Sequence, residues 1–288
     1  MNSTPLELDL LRAFVTVVDS GGFTAAARRL HSTQSTVSQK VLRLEGAAGH
    51  RLLQRERGGV RPTEAGERLL GYARRILALD AEAAAALSGM PSIAVLRLGL
   101  PEDFAAGRCT GMLAAFARGH PGLKLEVASG LSRDLMRLYE RGELDLALVK
   151  QRRDTAEGVE RWPEPLCWID SLDHPTIDED PLPLVVFPSN GLYRDDMIDR
   201  LDALGRRWRI AYSCPSLAGI QSAVADGLGI SLLPRRTTLP RHRILDEADG
   251  FAAVETMEIA VHHRSDADIL VLDLARRLAE LVEASGKG

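Results

Sequence analysis

The chain predicts a multi-domain fold: an N-terminal α-helical winged helix-turn-helix, a long linker helix, and an α/β body. Three observations carry this. Two short helical patterns meet at a polar turn between Phe23 and Glu45. From Thr63 to Ser88 the sequence is rich in Ala and favours helix. From Ile93 onward, apolar strand-like runs alternate with helical patterns.

Leu8, Leu11, Phe14, Val15 and Val18 repeat at helical spacing and predict a first helix, ended by Asp19-Ser20-Gly21-Gly22. Ala25, Ala26 and Leu30 close one face of the second. Val37, Val41 and Leu44 stand at i, i+4 and i+7 and form a buried stripe on the third. Ser35, Gln39 and Arg43 then point away from that stripe, with Thr36 and Ser38 on its flanks. Amides and hydroxyls beside Arg and Lys suit base edges and phosphates in a major groove. A solvated helix face is the plain alternative for such a pair taken alone. RLLQRERGGVRPT alternates briefly, breaks at Gly58-Gly59, and predicts a small β-wing; Thr63 is placed to cap the helix that follows. Candidate base-reading residues are Gln34, Ser35, Thr36, Ser38 and Gln39. Candidate phosphate contacts are Lys40, Arg43, Arg55, Arg57 and Arg61.

The motifs DLLRAFVTVVDSGGFTAAARRL, STQSTVSQKVLRLE and TEAGERLLGYARRIL, in unbroken order with the wing between them, resemble the LysR-type transcriptional regulators. The resemblance implies double-stranded promoter DNA as a partner. The chain departs from the family's usual residues at Ser35 (usually Pro), at Pro62 (usually Leu) and at Gly46-Ala47-Ala48 (usually acidic and Leu). Gly46 is expected to weaken the end of the recognition helix by about 1 kcal/mol relative to Ala. These departures bear on which DNA sequence is preferred.

Charge is divided unevenly. The whole chain of 288 residues carries a formal −4. Residues 1–62 hold nine Lys or Arg against five Asp or Glu, a balance of +4, so the remainder carries −8. A basic head on an acidic body attracts phosphate locally without indiscriminate binding. Cys109, Cys167 and Cys214 are odd in number and widely spaced, which argues for a reducing compartment and against a disulfide framework. No secretory leader is legible in MNSTPLELDLLRAF, and no apolar run reaches the roughly 20 residues of a membrane span. The expectation is a cytoplasmic protein without membrane association, metal or cofactor. His262-His263 are adjacent and would face opposite ways on a strand.

The domains expected are residues 1–62 for DNA binding, 63–90 for linker, dimerisation and hinge, and 91–288 for an effector-binding body. Leu69, Leu70, Ala73, Ile76, Leu77, Ala84 and Leu87 make the linker helix too apolar to stand alone. It packs on its own body or on the same helix of a second subunit. The family resemblance favours the second, a homodimer through this helix that commonly assembles into a tetramer. Gly89, Pro91 and Ser92 mark the hinge.

In the body, IAVLRLGL, LKLEVAS, LDLALVK, LPLVVF, WRIAYS and GISLLP each fit a short buried strand. Residues 104–120, 132–142, 192–204 and 217–225 fit helices, and a strand in IAVHHR precedes a last long amphipathic helix. GELDLALVK and SLAGIQSAVADGLGISLLP again resemble the LysR-type effector domain, which implies a two-lobed α/β architecture of periplasmic-binding-protein type. Lobe I would hold about 91–160 and 262–288, and lobe II about 161–261, with crossings near Arg152–Trp168 and Glu255–Val261. LGLPEDFA, SGLSRDL, LYR and AYSCPSLAGIQ are similar to the branch typified by the LrhA and HexA regulators, which implies control of motility, exoenzyme or other lifestyle genes.

A cleft between lobes is the default small-molecule site. Its expected lining is Glu102, Asp103, Ser129, Ser132, Lys150 and Gln151 from one side, and Tyr193, Ser213, Ser216 and Gln221 from the other. Each has a structural reading too: Asp103, Ser132 and Ser216 as helix caps, Lys150 as a solvated strand end, Tyr193 as a packing residue. Family members often carry Ser or Thr after the first strand, where a helix N-terminus helps hold a carboxylate. Pro101-Glu102-Asp103 brings negative charge there, and an Asp103 cap would fill that position. A simple carboxylate is therefore not expected at it; the effector is neutral, cationic, placed differently or absent. Cys214 lies in a predicted pocket loop, but no neighbouring feature marks it as reactive.

The reading is a sequence-specific, ligand-responsive transcriptional regulator, with RNA polymerase as a further partner. Control by protein abundance, with no ligand at all, is the alternative. A metabolite-binding protein whose N-terminal helices serve assembly is disfavoured by the basic recognition and wing residues. An enzyme is disfavoured because no Gly-rich phosphate loop, GxSxG or metal-ligand spacing is present.

Overall fold

The computed structural model describes residues 6–56, 59–88, 94–105, 108–155, 157–189, 191–252 and 254–285. Two compact units result. The first comprises Met1–Val95 with Gly122–Lys124 and Leu138–Leu144; the second comprises Leu96–Pro121, Leu125–Arg137 and Asp145–Gly288.

The first unit is built on α1 (Leu8–Asp19), α2 (Phe23–Arg29), α3 (Gln34–Ala48), β1 (Leu53–Glu56), β2 (Gly59–Pro62) and α4 (Glu64–Ser88). Helix α1 serves two apolar clusters at once. Leu10, Leu11 and Phe14 pack with Leu44, Leu52, Leu70 and Ala73. Ala13 and Val17 pack with Ala26, Ala27, Val37 and Val41. The expected stripe on α1 is therefore displaced: Leu8 is 38% exposed, whereas Leu10, Ala13 and Val17 are buried. On α2 the same effect exposes Ala25 and buries Ala27 in its place. The stripe on α3 is as expected, with Val37, Val41 and Leu44 all buried.

Local chemistry sets the ends of these elements. Gly21, at φ 68, turns the chain after α1. Thr33 caps α3 by accepting the Thr36 N–H at 3.2 Å. The helix runs through Gly46 and stops at Gly49, in the left-handed region at φ 70. Glu45 Oε1 accepts the backbone N–H groups of Leu52 and Leu53, at 2.7 and 3.1 Å, and so ties the root of the wing to α3. The wing is an antiparallel pair with Leu53 opposite Pro62 and Glu56 opposite Gly59. Thr63 accepts the Gly66 N–H at 3.1 Å and starts α4. The hinge expected at Gly89, Pro91 and Ser92, like Arg57 and Gly58 of the wing, lies outside the described residues.

The second unit carries a sheet in the order β10-β6-β11-β5-β3-β4, with β9 also paired to β6, and a separate pair β7-β8. Its strands are β3 (Ala94–Pro101), β4 (Leu123–Gly130), β5 (Leu146–Arg152), β6 (Glu160–Ser171), β7 (Leu182–Val186), β8 (Trp208–Ser213), β9 (Ser231–Pro234), β10 (His242–Leu245) and β11 (Val254–His263). Its helices are α5 (Glu102–Ala105), α6 (Arg108–Gly119), α7 (Ser132–Glu140), α8 (Leu192–Ala203), α9 (Leu217–Ala225) and α10 (Ile269–Ser285).

Two lobes arise because β6 serves both. Its first half pairs with β11, from Glu160 opposite Val261 to Leu166 opposite Val254. Its second half pairs with β9 and β10, from Leu166 to Ser171. The register of β11 shifts between Val254 and Met257, where the chain crosses back. Trp168, Leu184, Val185, Ile220, Val224 and Leu232 anchor the core of the second lobe.

The helix foreseen over 104–120 is described on both sides of residues 106 and 107, as α5 and α6, and its Phe104 lies beneath the Arg236 guanidinium at 4.2 Å. Two expectations change. Strands β4 and β8 are largely exposed rather than buried, β8 lying at the edge of its two-stranded pair. Strands β6 and β10 were not foreseen as strands; Pro163 and Pro165, which lack N–H donors, disguise the first. Phe14→Ala would empty the point where α1, α3 and α4 meet. It is expected to cost about 3–5 kcal/mol, seen as a lower urea midpoint for loss of helical circular dichroism.

Candidate functional site

Two regions gather the candidate residues. On α3 the side chains of Gln34, Ser35, Thr36 and Gln39 are exposed and that of Ser38 is half-buried. Ser35 Oγ and Thr36 Oγ1 lie 2.9 and 2.8 Å from Thr33 Oγ1, so three hydroxyls cluster at the helix N-terminus. Thr33 was not singled out from the sequence, although a Thr before an apolar-periodic run is a start signal. Lys40 and Arg43 are engaged within the head: Lys40 Nζ lies 2.9 Å from Asp9, and Arg43 Nη2 lies 2.9 Å from Glu7. Such exposed pairs contribute about 0–1 kcal/mol and exchange readily for another anion. Arg61 is exposed on β2, opposite Gln54. The Arg55 backbone pairs with Val60, but its side chain, like the whole of Arg57, lies outside the described residues.

In the second unit a cavity with about 530 Å³ of unfilled space, open towards solvent, lies where β3, β5, α8 and α9 converge. Glu102, Asp103, Ser132, Lys150 and Tyr193 line it, among apolar walls that include Leu131, Phe187 and Leu192. Behind the wall stands a buried ionic hub. Asp103, with its side chain 5% exposed, accepts from Lys150 Nζ at 2.7 Å and from Arg236 Nη2. Arg236 also reaches Glu164, 3.0 Å away and almost wholly buried. Burial pushes the Asp103 carboxyl up, but Lys150 and Arg236 outweigh it and hold it below the usual aspartate range. Arg236 is held higher, burial being overcome by Asp103 and Glu164.

A second contact joins the cavity wall to α9. The Glu102 carboxylate accepts from the Ser216 hydroxyl at 2.9 Å and from the Leu217 N–H at 2.6 Å, at the N-terminus of α9. Tyr193 presents a hydroxyl that is buried without a hydrogen-bond partner among the described residues. Burial first, then Glu164 and Asp103, push its pKa well above the ordinary phenol value. Among the helix-cap alternatives only Ser216 holds, accepting the Gly219 N–H at 3.4 Å. Asp103 is an ion-pair hub, and Ser132 Oγ accepts the Lys150 N–H at 2.9 Å. Lys150 is buried rather than a solvated strand end.

Five expected lining residues are not in the cavity wall: Ser129, Gln151, Ser213, Gln221 and Ser216, the last of which donates to Glu102. Successive side chains of a strand face opposite ways. Gln151 therefore turns from the Lys150 face and donates to Glu258 at 2.8 Å. Ser129 and Ser213 are exposed. Gln221 donates to the Thr237 carbonyl. Arg236 and Glu164 were missed, lying far in sequence from the residues they complete. Cys214 is half-buried against the core of the second lobe, and Cys109 is pushed by burial up to about 11. No cluster suited to a metal ion occurs among the described residues. Nor is any described helix long and apolar enough to cross a membrane.

Comparison with known proteins agrees with this geometry. Residues 8–67 match the bacterial regulatory helix-turn-helix model of the lysR family, and residues 92–283 match the LysR substrate binding domain. The chain is similar to the HTH-type transcriptional regulator PecT of Dickeya dadantii, 33% identical over 85% of this chain and 78% of that protein. It is also similar to DgdR of Burkholderia cepacia, 35% identical over 82% of this chain and 80% of that one. Full-length LysG of Corynebacterium glutamicum, solved with bound effector arginine, superposes with a TM-score of 0.66 at 25% identity, covering 98% and 99% of the two chains.

Asp103→Asn should cost the second unit about 3–5 kcal/mol near neutral pH by leaving Lys150 and Arg236 under-compensated. Because the folded pKa of Asp103 is depressed, its contribution is present above the ordinary value of 3.8 and lost as pH falls through the lower folded value. The gap between wild-type and D103N urea midpoints is therefore expected to narrow below that pH.

Proposed function

Because the chain belongs to the LysR family of transcriptional regulators, we propose a division of labour among its residues for that activity. It is a DNA-binding regulator with an effector-binding domain. DNA binding is assigned to residues 1–62, self-association to 63–90 and effector response to 91–288. The exposed polar face of α3, backed by the buried Val37, Val41 and Leu44, is the observation that carries the reading. Gln34, Ser35, Thr36, Ser38 and Gln39 read base edges in a major groove. Lys40, Arg43, Arg55, Arg57 and Arg61 meet phosphates, Lys40 and Arg43 by exchanging their acidic neighbours on the first unit.

Helix α4 supports a homodimer. Leu70 and Ala73 are buried, yet Tyr72, Ile76, Leu79 and Leu87 are exposed, Leu87 at 91%. Exposed large apolar residues at helical spacing call for a partner surface, and the same helix of a second subunit supplies a symmetric one. Two such dimers make a tetramer, and a two-fold protein suits a two-fold operator. The cavity lined by Glu102, Asp103, Ser132, Lys150 and Tyr193 is the effector site. A ligand there changes the spacing of the DNA-binding heads only by its difference in affinity between two lobe arrangements. The motifs LGLPEDFA, SGLSRDL, LYR and AYSCPSLAGIQ are the basis for placing the chain in the LrhA/HexA-like branch, controlling motility, exoenzyme or other lifestyle genes from the cytoplasm. As its relatives are transcriptional regulators, the body is read as a receiver and not a catalyst.

In fluorescence anisotropy with operator and random duplexes, Gln39→Ala is expected to lose about 1–3 kcal/mol of operator preference. Arg61→Ala should weaken both complexes equally and lower the salt slope by about 1. Equal losses on both duplexes for both variants would overturn the division. In light scattering at micromolar concentration, Leu79→Glu with Leu87→Glu should shift the protein towards monomer, and an unchanged mass would remove α4 from the interface.

A further inference from the structure

The chemistry of the cavity wall restricts what can enter it. Each ionised group there already has its counter-charge or donor. Lys150, its side chain only 9% exposed, is committed to Asp103 at 2.7 Å. Arg236 is divided between Asp103 and Glu164 and stacks over Phe104. The Glu102 carboxylate occupies the N-terminus of α9 and takes the Ser216 hydroxyl and the Leu217 N–H. Unsatisfied helix-terminal N–H groups and a helix dipole favour negative charge at such a position. Here the chain supplies that charge from its own first lobe.

We propose that the cavity takes an uncharged, mainly apolar small molecule with one hydrogen-bonding group for Tyr193, and that Glu102 excludes carboxylates by acting as their tethered substitute. This rests on the reading of the cavity as the effector site. Leu131, Phe187, Leu192, Leu217, Pro101 and Pro215 give the ligand apolar contact. The Tyr193 hydroxyl is buried and has no hydrogen-bond partner among the described residues, an arrangement that costs free energy until a ligand supplies one. An anionic ligand finds neither cation uncommitted and meets Glu102 at the mouth. A cationic ligand finds Asp103 taken twice over and Glu102 held by two donors of α9. A charge buried without a counter-charge is strongly disfavoured.

The test uses the full chain and two probes of matched shape, benzamide and benzoate, titrated by ligand-observed NMR. Wild type is expected to bind benzamide saturably and benzoate at least tenfold more weakly. Glu102→Ala should bring benzoate binding up at least tenfold relative to benzamide. Tyr193→Phe removes a hydroxyl with no partner to lose, so thermal stability should hold while benzamide affinity falls. Benzoate binding to wild type as tightly as benzamide, or failing to gain from Glu102→Ala, overturns the proposal and leaves the effector site standing. Failure of both probes on wild type and on Glu102→Ala overturns the effector site as well, and the inference with it. Benzamide binding unchanged in Tyr193→Phe removes Tyr193 from the recognition step.

Discussion

The second unit depends on one buried carboxylate. Asp103 sits two residues past Pro101, where β3 ends at the cavity, and holds two cations from different parts of the chain. Lys150 comes from β5 in the same lobe, and Arg236 from the short helical turn after β9 in the other. Desolvating these three groups is costly, and the network persists because Asp103 holds both cations and Arg236 also reaches Glu164. The hub therefore fixes where α5 can lie, and with it where Glu102 meets α9. Cavity, mouth and lobe contact follow from that one placement.

The core of the head solves a different problem with apolar surface. Helix α1 lies between two clusters and contributes side chains to each, so no single stripe describes it. That geometry makes α1 the common wall against which α2, α3 and α4 take their positions. It also brings Glu7 and Asp9, at the start of α1, beside Arg43 and Lys40 of α3. The cations that suit phosphate thus carry exchangeable anions in the unbound head. This limits attraction to stray polyanions, at little cost once a long phosphate backbone competes.

What the sequence made legible follows from range. The stripe Val37, Val41 and Leu44, the Thr63 cap and the limits of α9 are local patterns, and they were readable. The phase of α1 was not, since it depends on two partners distant in sequence. Strand β6 was hidden because Pro163 and Pro165 mimic a loop while the pairing with β11 tolerates them. In the cavity, residue type identified Glu102, Asp103, Ser132, Lys150 and Tyr193. Pairings such as Glu102 with Ser216, 114 positions apart, were out of reach of any local rule. Ser129, Gln151 and Ser213 are not wall residues; proximity to a strand end does not say which side of the strand a residue occupies. Ser216 and Gln221, at and within α9, are turned to Glu102 and the Thr237 carbonyl.

Glu45 holds a further consequence. By gripping Leu52 and Leu53 it ties the root of the β-wing to α3, the helix proposed to read the groove. The two therefore travel as one rigid gauge, with the span between them set before any duplex arrives. A gauge of fixed span responds to the width and curvature of what it straddles. On the proposed reading, such a head would be sensitive to how easily a stretch of DNA deforms, at positions where no side chain touches a base.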